Sequence, residues 1–188
     1  MDALMAALVA GALAQVGDRP AWLAAVLADR YRNPPIVTAA AAIALLAASL
    51  LACAGAALVA GKLTPEAGRL FLALALVFQG AGGLLRVRAP DRLERWRLGA
   101  FGTSAAGLFI LFFGDGLQFI VLALAARSEL PWAAGVGATL GALAVVAPAA
   151  FTGERGWTAL PQSLLRRIAS ALFLIAGLWN GLSALRLV

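Results

Sequence analysis

Residues 35–60 read PIVTAAAAIALLAASLLACAGAALVA, without one charged side chain. An α-helix rises about 1.5 Å per residue, so roughly 20 apolar residues cross the hydrocarbon layer of a bilayer. This stretch is long enough to span. The same pattern recurs on either side of it, at Ala3–Ala28, Pro65–Leu85, Gly99–Ala126, Pro131–Phe151 and Leu164–Leu185. Pro35, Pro65 and Pro131 each open a run, where a first helical turn tolerates a missing N–H. Overall 63% of the 188 residues are apolar and 13% are charged, with a mean hydropathy of +0.92. A soluble domain carries about 25% charged residues, so there is too little polar surface here to cover a water-soluble globule. The expected fold is an all-α integral membrane protein with six transmembrane helices. Asp2 is acidic and no basic n-region precedes the first run, so that run is expected to persist as a helix.

The formal charge is +6. The basic residues gather at the ends of apolar runs, where they set topology, and form no face that would hold nucleic acid. Ten of them, including Arg30, Arg32, Arg155 and five in Arg86–Arg97, fall on the side of the first loop, against four (Lys62, Arg69, Arg127, Arg186) on the other. The bias places the first, third and fifth loops in the cytoplasm and both termini outside it. The stretch 86–97, RVRAPDRLERWR, is the long charged connection. It divides the chain into residues 1–86, a charged cytoplasmic linker at 87–98, and residues 99–188. Cys53 is the single cysteine and reads as a packing residue. Small pairs four apart, Gly137/Gly141 and Gly177/Gly181, suit close helix packing in lipid and leave a homodimer open.

The two halves resemble each other. A shift of 97 residues carries Gly17-Asp18 onto Gly114-Asp115, Arg30 onto Arg127, Pro34 onto Pro131 and Gly80 onto Gly177. Three spans per half is an odd number, so the copies enter the membrane from opposite sides. The expectation is two inverted three-helix repeats, a common plan of secondary transporters, with the substrate site near the midplane between them.

Asp18 and Asp115 fall inside the first and fourth runs at equivalent positions. A carboxylate at membrane depth costs several kcal/mol unless it is paired or protonated, which makes it a functional candidate. Gln15 precedes Asp18 by three residues and Gln118 follows Asp115 by three, the spacing of neighbours on one helix face. Carboxylate and amide oxygens are hard ligands, suited to Ca²⁺, Mn²⁺ or Mg²⁺. Pro20 disturbs the bond to the Val16 carbonyl, which offers a further oxygen beside Asp18. Arg19 competes with this reading as an ion-pair partner for Asp18 or Asp115. Gln79 and Asn180 are the other large polar side chains well inside spans, where interhelical hydrogen bonding is the usual role.

Two Gly-Asp motifs, each in the first helix of a three-helix repeat, resemble the calcium/manganese:proton exchanger family of Golgi and bacterial membranes, within the lysine-exporter superfamily. That family's hallmark is a doubled Glu-x-Gly-Asp-Lys/Arg-Ser/Thr. Here the copies read Gln15-Val16-Gly17-Asp18-Arg19-Pro20 and Phe112-Phe113-Gly114-Asp115-Gly116-Leu117. Both glutamates, one basic residue and both hydroxyls are replaced. The resemblance implies a secondary transporter of divalent cations, Mn²⁺ or Ca²⁺, exchanging them for protons and exporting them across a bacterial inner membrane. Asp18 and Asp115 would hold the metal, Gln15 and Gln118 would assist, and Gly17, Arg19, Pro20 and Gly114 would support the motif. No resident cofactor is implied. Loss of both glutamates keeps two other readings open: export of a small organic solute, or a non-transporting membrane protein. With no histidine and no Ser-His arrangement, an enzyme is not expected.

Overall fold

The computed structural model describes residues 2–85 and 87–186. Arg86, counted above among the basic residues at the end of the first half, lies outside the described residues. Among the described residues eight helices follow one another: α1 (Asp2–Gln15), α2 (Arg19–Tyr31), α3 (Pro34–Ala60), α4 (Pro65–Leu84), α5 (Gly99–Phe113), α6 (Gly116–Ala125), α7 (Pro131–Ala159) and α8 (Gln162–Ala184). Four of them, α3, α4, α7 and α8, are long and apolar enough to cross a membrane, and α5 with α6 makes a fifth candidate bent by 68°. At 14 residues, α1 reaches only about 21 Å. The first and fourth runs are therefore not the continuous helices expected. Each breaks at its Gly-Asp, because neither motif continues the i to i−4 ladder through the turn.

Local chemistry explains where the helices begin. Asn33 caps α3, its side-chain oxygen accepting from the Ile36 N–H at 3.3 Å, and Pro34 and Pro35 follow. Thr64 caps α4 in the same way through the Ala67 N–H at 3.2 Å. These side chains satisfy donors that the first turn leaves free. At the far end of α7, Gly153 adopts φ 70° and ψ 176° and bends the chain. Asp29 then accepts from the Glu154 N–H at 2.8 Å, so the apolar part of α7 stops close to the expected Phe151.

The starts of α1, α2, α3 and α4 lie 97 residues before those of α5, α6, α7 and α8. The packing follows the same rule. Helices α1 and α2 lie on α7, while α5 and α6 lie on α3; α3 crosses α7, and α4 crosses α8. At the α4–α8 crossing, a Cβ on Gly80 would meet the Ser170 carbonyl oxygen at 2.8 Å and the Leu174 nitrogen at 3.0 Å. A Cβ on Gly177 would meet the Ala73 carbonyl oxygen at 3.0 Å and the Val77 nitrogen at 2.9 Å. Residues 73 and 77 become 170 and 174 under the same shift, so this is one contact seen from both sides. Gly141 and Gly137 sit against the backbone of α1 at Leu8 and Leu4, the close approach their spacing suggested. The buried core, rich in Ala and including Leu27, Leu45, Leu108 and Val146, lies mainly between the halves.

The charged linker folds down onto the bundle. Arg30 donates to the carbonyls of Leu93 (2.6 Å) and Arg92 (3.2 Å) through Nη1, and of Glu94 (3.3 Å) and Trp96 (3.4 Å) through Nη2. Arg92 pairs with Glu154 at 2.9 Å. The side chain of Leu93 covers Gly107 of α5, where a Cβ would collide with it.

Candidate ion site

Both helix breaks open onto one cavity of about 470 Å³. Asp18 and Asp115 line it together with Arg19, Gln79, Arg166 and Ser170 among its polar residues. Asp18 is the N-cap of α2 and accepts from the Arg19 N–H at 2.8 Å. Asp115 is the N-cap of α6 but makes no side-chain capping bond. Its Oδ2 instead accepts from Nε2 of Gln15 at 2.9 Å. That bond joins the last residue of α1 to the start of α6, 100 positions away. The carbonyls of Val16, Gly17 and Gly114 accept no backbone hydrogen bond among the described residues, so each break leaves free oxygens; that of Val16 is the one expected from the missing N–H of Pro20.

The breaks correct two expectations about shared faces. Gln15 and Asp18 do not share a helix face, because α1 ends at Gln15 and Asp18 belongs to the next helix. Gln15 faces the other motif's aspartate. Gln118 lies three residues into α6 and is buried, 7% exposed. It does not line the cavity, and both atoms of its amide lack a partner among the described residues. Pro20 sits in the first turn of α2. Arg19 is exposed. Among the described residues the one ion pair is Arg92–Glu154, so the expected alternative of Arg19 paired to either aspartate is not realised. Asn180 donates to Ala176 of its own helix at 2.8 Å, and among the described residues it makes no interhelical bond.

Gly17 has φ +70°, and a Cβ there would lie 2.8 Å from the Gln162 carbonyl oxygen and 3.1 Å from Cβ of Arg166. Only glycine lets α8 approach the first break this closely. Arg166 was legible only as one positive charge at a span end. In the fold its Nε donates to the Gly83 carbonyl at 2.7 Å and Nη2 to the Gly82 carbonyl at 3.4 Å. It thus holds the C-terminal end of α4, where free carbonyls favour a cation, while standing at the cavity wall. Among the described residues no three His, Cys, Asp or Glu side chains converge. A cation bound between the two aspartates would complete its shell with neutral oxygens.

The pattern of the family described as divalent cation/proton antiporter GDT1 matches this chain over residues 3–91 and 100–187. The chain belongs to this family. A protein of Vibrio cholerae serotype O1 (strain ATCC 39541 / Classical Ogawa 395 / O395), named "Putative manganese exporter", is 32% identical over 184 residues, covering 95% of this chain and 90% of its own length. No solved structure matches the chain. Membership of the GDT1 family makes this an integral membrane transporter of divalent cations and not an enzyme. It decides against the organic-solute and non-transporting readings. The two matched segments begin 97 residues apart, the same interval that separates α1 from α5.

Proposed function

We propose that this GDT1-family antiporter exports Mn²⁺, with Ca²⁺ as a second substrate, in exchange for protons at the cavity between the two helix breaks. The observation that carries the reading is the pair Asp18 and Asp115 on one cavity, with Gln15 of the first half holding Asp115 of the second. Two carboxylates can bind one divalent cation or carry up to two protons, which makes cation and proton compete for one site. The name of the Vibrio relative favours manganese.

The proposal includes the architecture. Each broken pair, α1/α2 and α5/α6, counts as one crossing, which gives six. Residues 1–86 and 99–188 are two inverted repeats, joined by the cytoplasmic linker at 87–98. The reciprocal α4–α8 contact and the common interval of 97 residues support it. The cavity wall includes Leu85, Val87 and Arg166, at the ends that the arginine bias assigns to the cytoplasm. The structure then corresponds to a state loading from that side, in a bacterial inner membrane with both termini outside. Rocking of one repeat against the other would expose the site outward. Nothing in this scheme needs a second copy, although a homodimer is compatible with it.

The test is reconstitution into liposomes containing a Mn²⁺-sensitive dye. Flux driven by a pH gradient, and lost in Asp115→Asn, is the expected result. Undiminished flux in the folded double variant Asp18→Asn/Asp115→Asn would overturn the site.

A further inference from the structure

We propose that the side-chain amide of Gln79 is a ligand of the transported cation, admitted to the site by the absence of a side chain at Gly116. The inference rests on the cavity being the ion site. Mn²⁺ and Ca²⁺ take about six or more oxygen ligands, and among the described residues no third acid joins the two aspartates. The missing ligands must be neutral oxygens. Gln79, on α4, lines the cavity with Asp18 and Asp115. Among the described residues its amide takes part in no direct hydrogen bond within the usual limits, unlike Gln15 with Asp115 and Asn180 with Ala176. Its amide oxygen stands against Gly116, so close that a Cβ on residue 116 would collide with it. Gly116 directly follows Asp115, which puts the Gln79 oxygen beside the root of the Asp115 side chain.

The other half of the molecule shows what the arrangement replaces. The counterpart of Gly116 is Arg19 and that of Gln79 is Ala176. One break therefore carries a long basic side chain where the other carries none, and the amide that stands against the second break has no counterpart in the other half. The exchange is of a charged side chain on the break itself for an amide supplied by another helix. Its chemical effect is to remove a cation from the second break and to supply a hard, uncharged oxygen there. The amide itself adds a ligand without adding charge.

The experiment compares half-saturating Mn²⁺ concentration and maximal rate in liposomes for wild type, Gln79→Ala, Gly116→Ala and Asp115→Asn, with melting temperature measured on each. Gln79→Ala should raise half-saturating Mn²⁺ about tenfold, with a smaller change in maximal rate. Gly116→Ala keeps the amide but displaces it, and should shift half-saturation in the same direction. Asp115→Asn should lose flux. If Asp115→Asn is silent while folded Gln79→Ala saturates like wild type, the ligand role of Gln79 is overturned and the ion site stands. If Asp115→Asn transports normally, the site itself is wrong and the Gln79 assignment goes with it. A Gln79→Ala protein that loses affinity for Mn²⁺ but melts like wild type excludes a merely structural role for the amide.

Discussion

The two Gly-Asp breaks occupy equivalent places and are built differently. At the first, Gly17 sits at φ +70° under the start of α8, and Asp18 spends one carboxylate oxygen on capping its own helix. At the second, Gly114 keeps an ordinary φ of −85°, and Asp115 caps nothing but is held by Gln15 from the other half. The first break is thus fixed locally and by steric fit, the second by a hydrogen bond from the other half of the chain. A motif repeated in sequence need not be held in the same way: one copy is a corner set by steric fit while the other is tied to the opposite half of the chain.

The largest expected effect concerns transport. Asp18→Asn keeps a competent helix cap, since Asn caps as well as Asp, yet it removes one of the two anionic ligands proposed above. Both it and Asp115→Asn should reduce proton-driven Mn²⁺ flux by on the order of 100-fold or more. Normal flux in Asp18→Asn would reduce that residue to a cap and leave Asp115 as the sole anion of the site.

Next comes the hydrogen bond between the halves. Gln15→Leu should destabilise the protein by about 1–3 kcal/mol, the cost of leaving a buried acceptor without its donor. Denaturation in detergent would measure it, and a neutral result would mean that water replaces the amide at Asp115. Gln15→Glu is the sharper variant. It places a second carboxylate against Asp115, so Mn²⁺ should bind more tightly and flux should fall more steeply as pH drops.

The glycines separate the breaks most cleanly. Gly17→Ala forces a left-handed alanine into the Gln162 backbone and should cost about 1–3 kcal/mol. Gly114→Ala meets only the Ile110 and Leu111 carbonyls at 3.5 and 4.0 Å and should change stability by less than about 0.5 kcal/mol. Equal melting temperatures for the two variants would contradict the contrast between the breaks. The smallest effect belongs to Pro20→Ala, about 0.5 kcal/mol through the entropy of the unfolded chain, because the first turn of α2 needs no N–H from that position.

Much of this was legible in one dimension. Pro65 and Pro131 do sit at the first residue of α4 and α7, and Pro35 at the second residue of α3, one after the observed start, because the missing N–H is costless in a first turn. Gly137 and Gly141 do admit a neighbouring backbone. The first break had a visible cause in Pro20. The second had none beyond Gly-Asp-Gly, and Phe112, Phe113 and Leu117 around it read as continuous span. Gln118 was set on the face of Asp115 for that reason: three residues after Asp115 in an unbroken helix it would share that face, but Asp115 stands outside the helix, at its N-cap position. Arg166 was invisible as a site residue because a span-end arginine needs no explanation in a membrane protein. Its signal was proximity to Gly17, which depends on how α8 packs against the turn.

By itself, then, the sequence determined the solvent this chain folds in, the positions where most helices begin, the interval of 97 residues and the two aspartates. Each of these is carried by the order of residue types along one segment, or by likeness between two segments, and apolar runs of spanning length have few alternatives in a bilayer. The tertiary structure alone decided that Gln15 serves Asp115, that Arg166 holds α4 beside Asp18, and that Gln79 fills the space over Gly116. Those partners stand on different helices, up to 100 residues apart in Gln15–Asp115, and their side-chain directions are set by breaks that turn the helices after them. No pattern within a single segment records such a meeting.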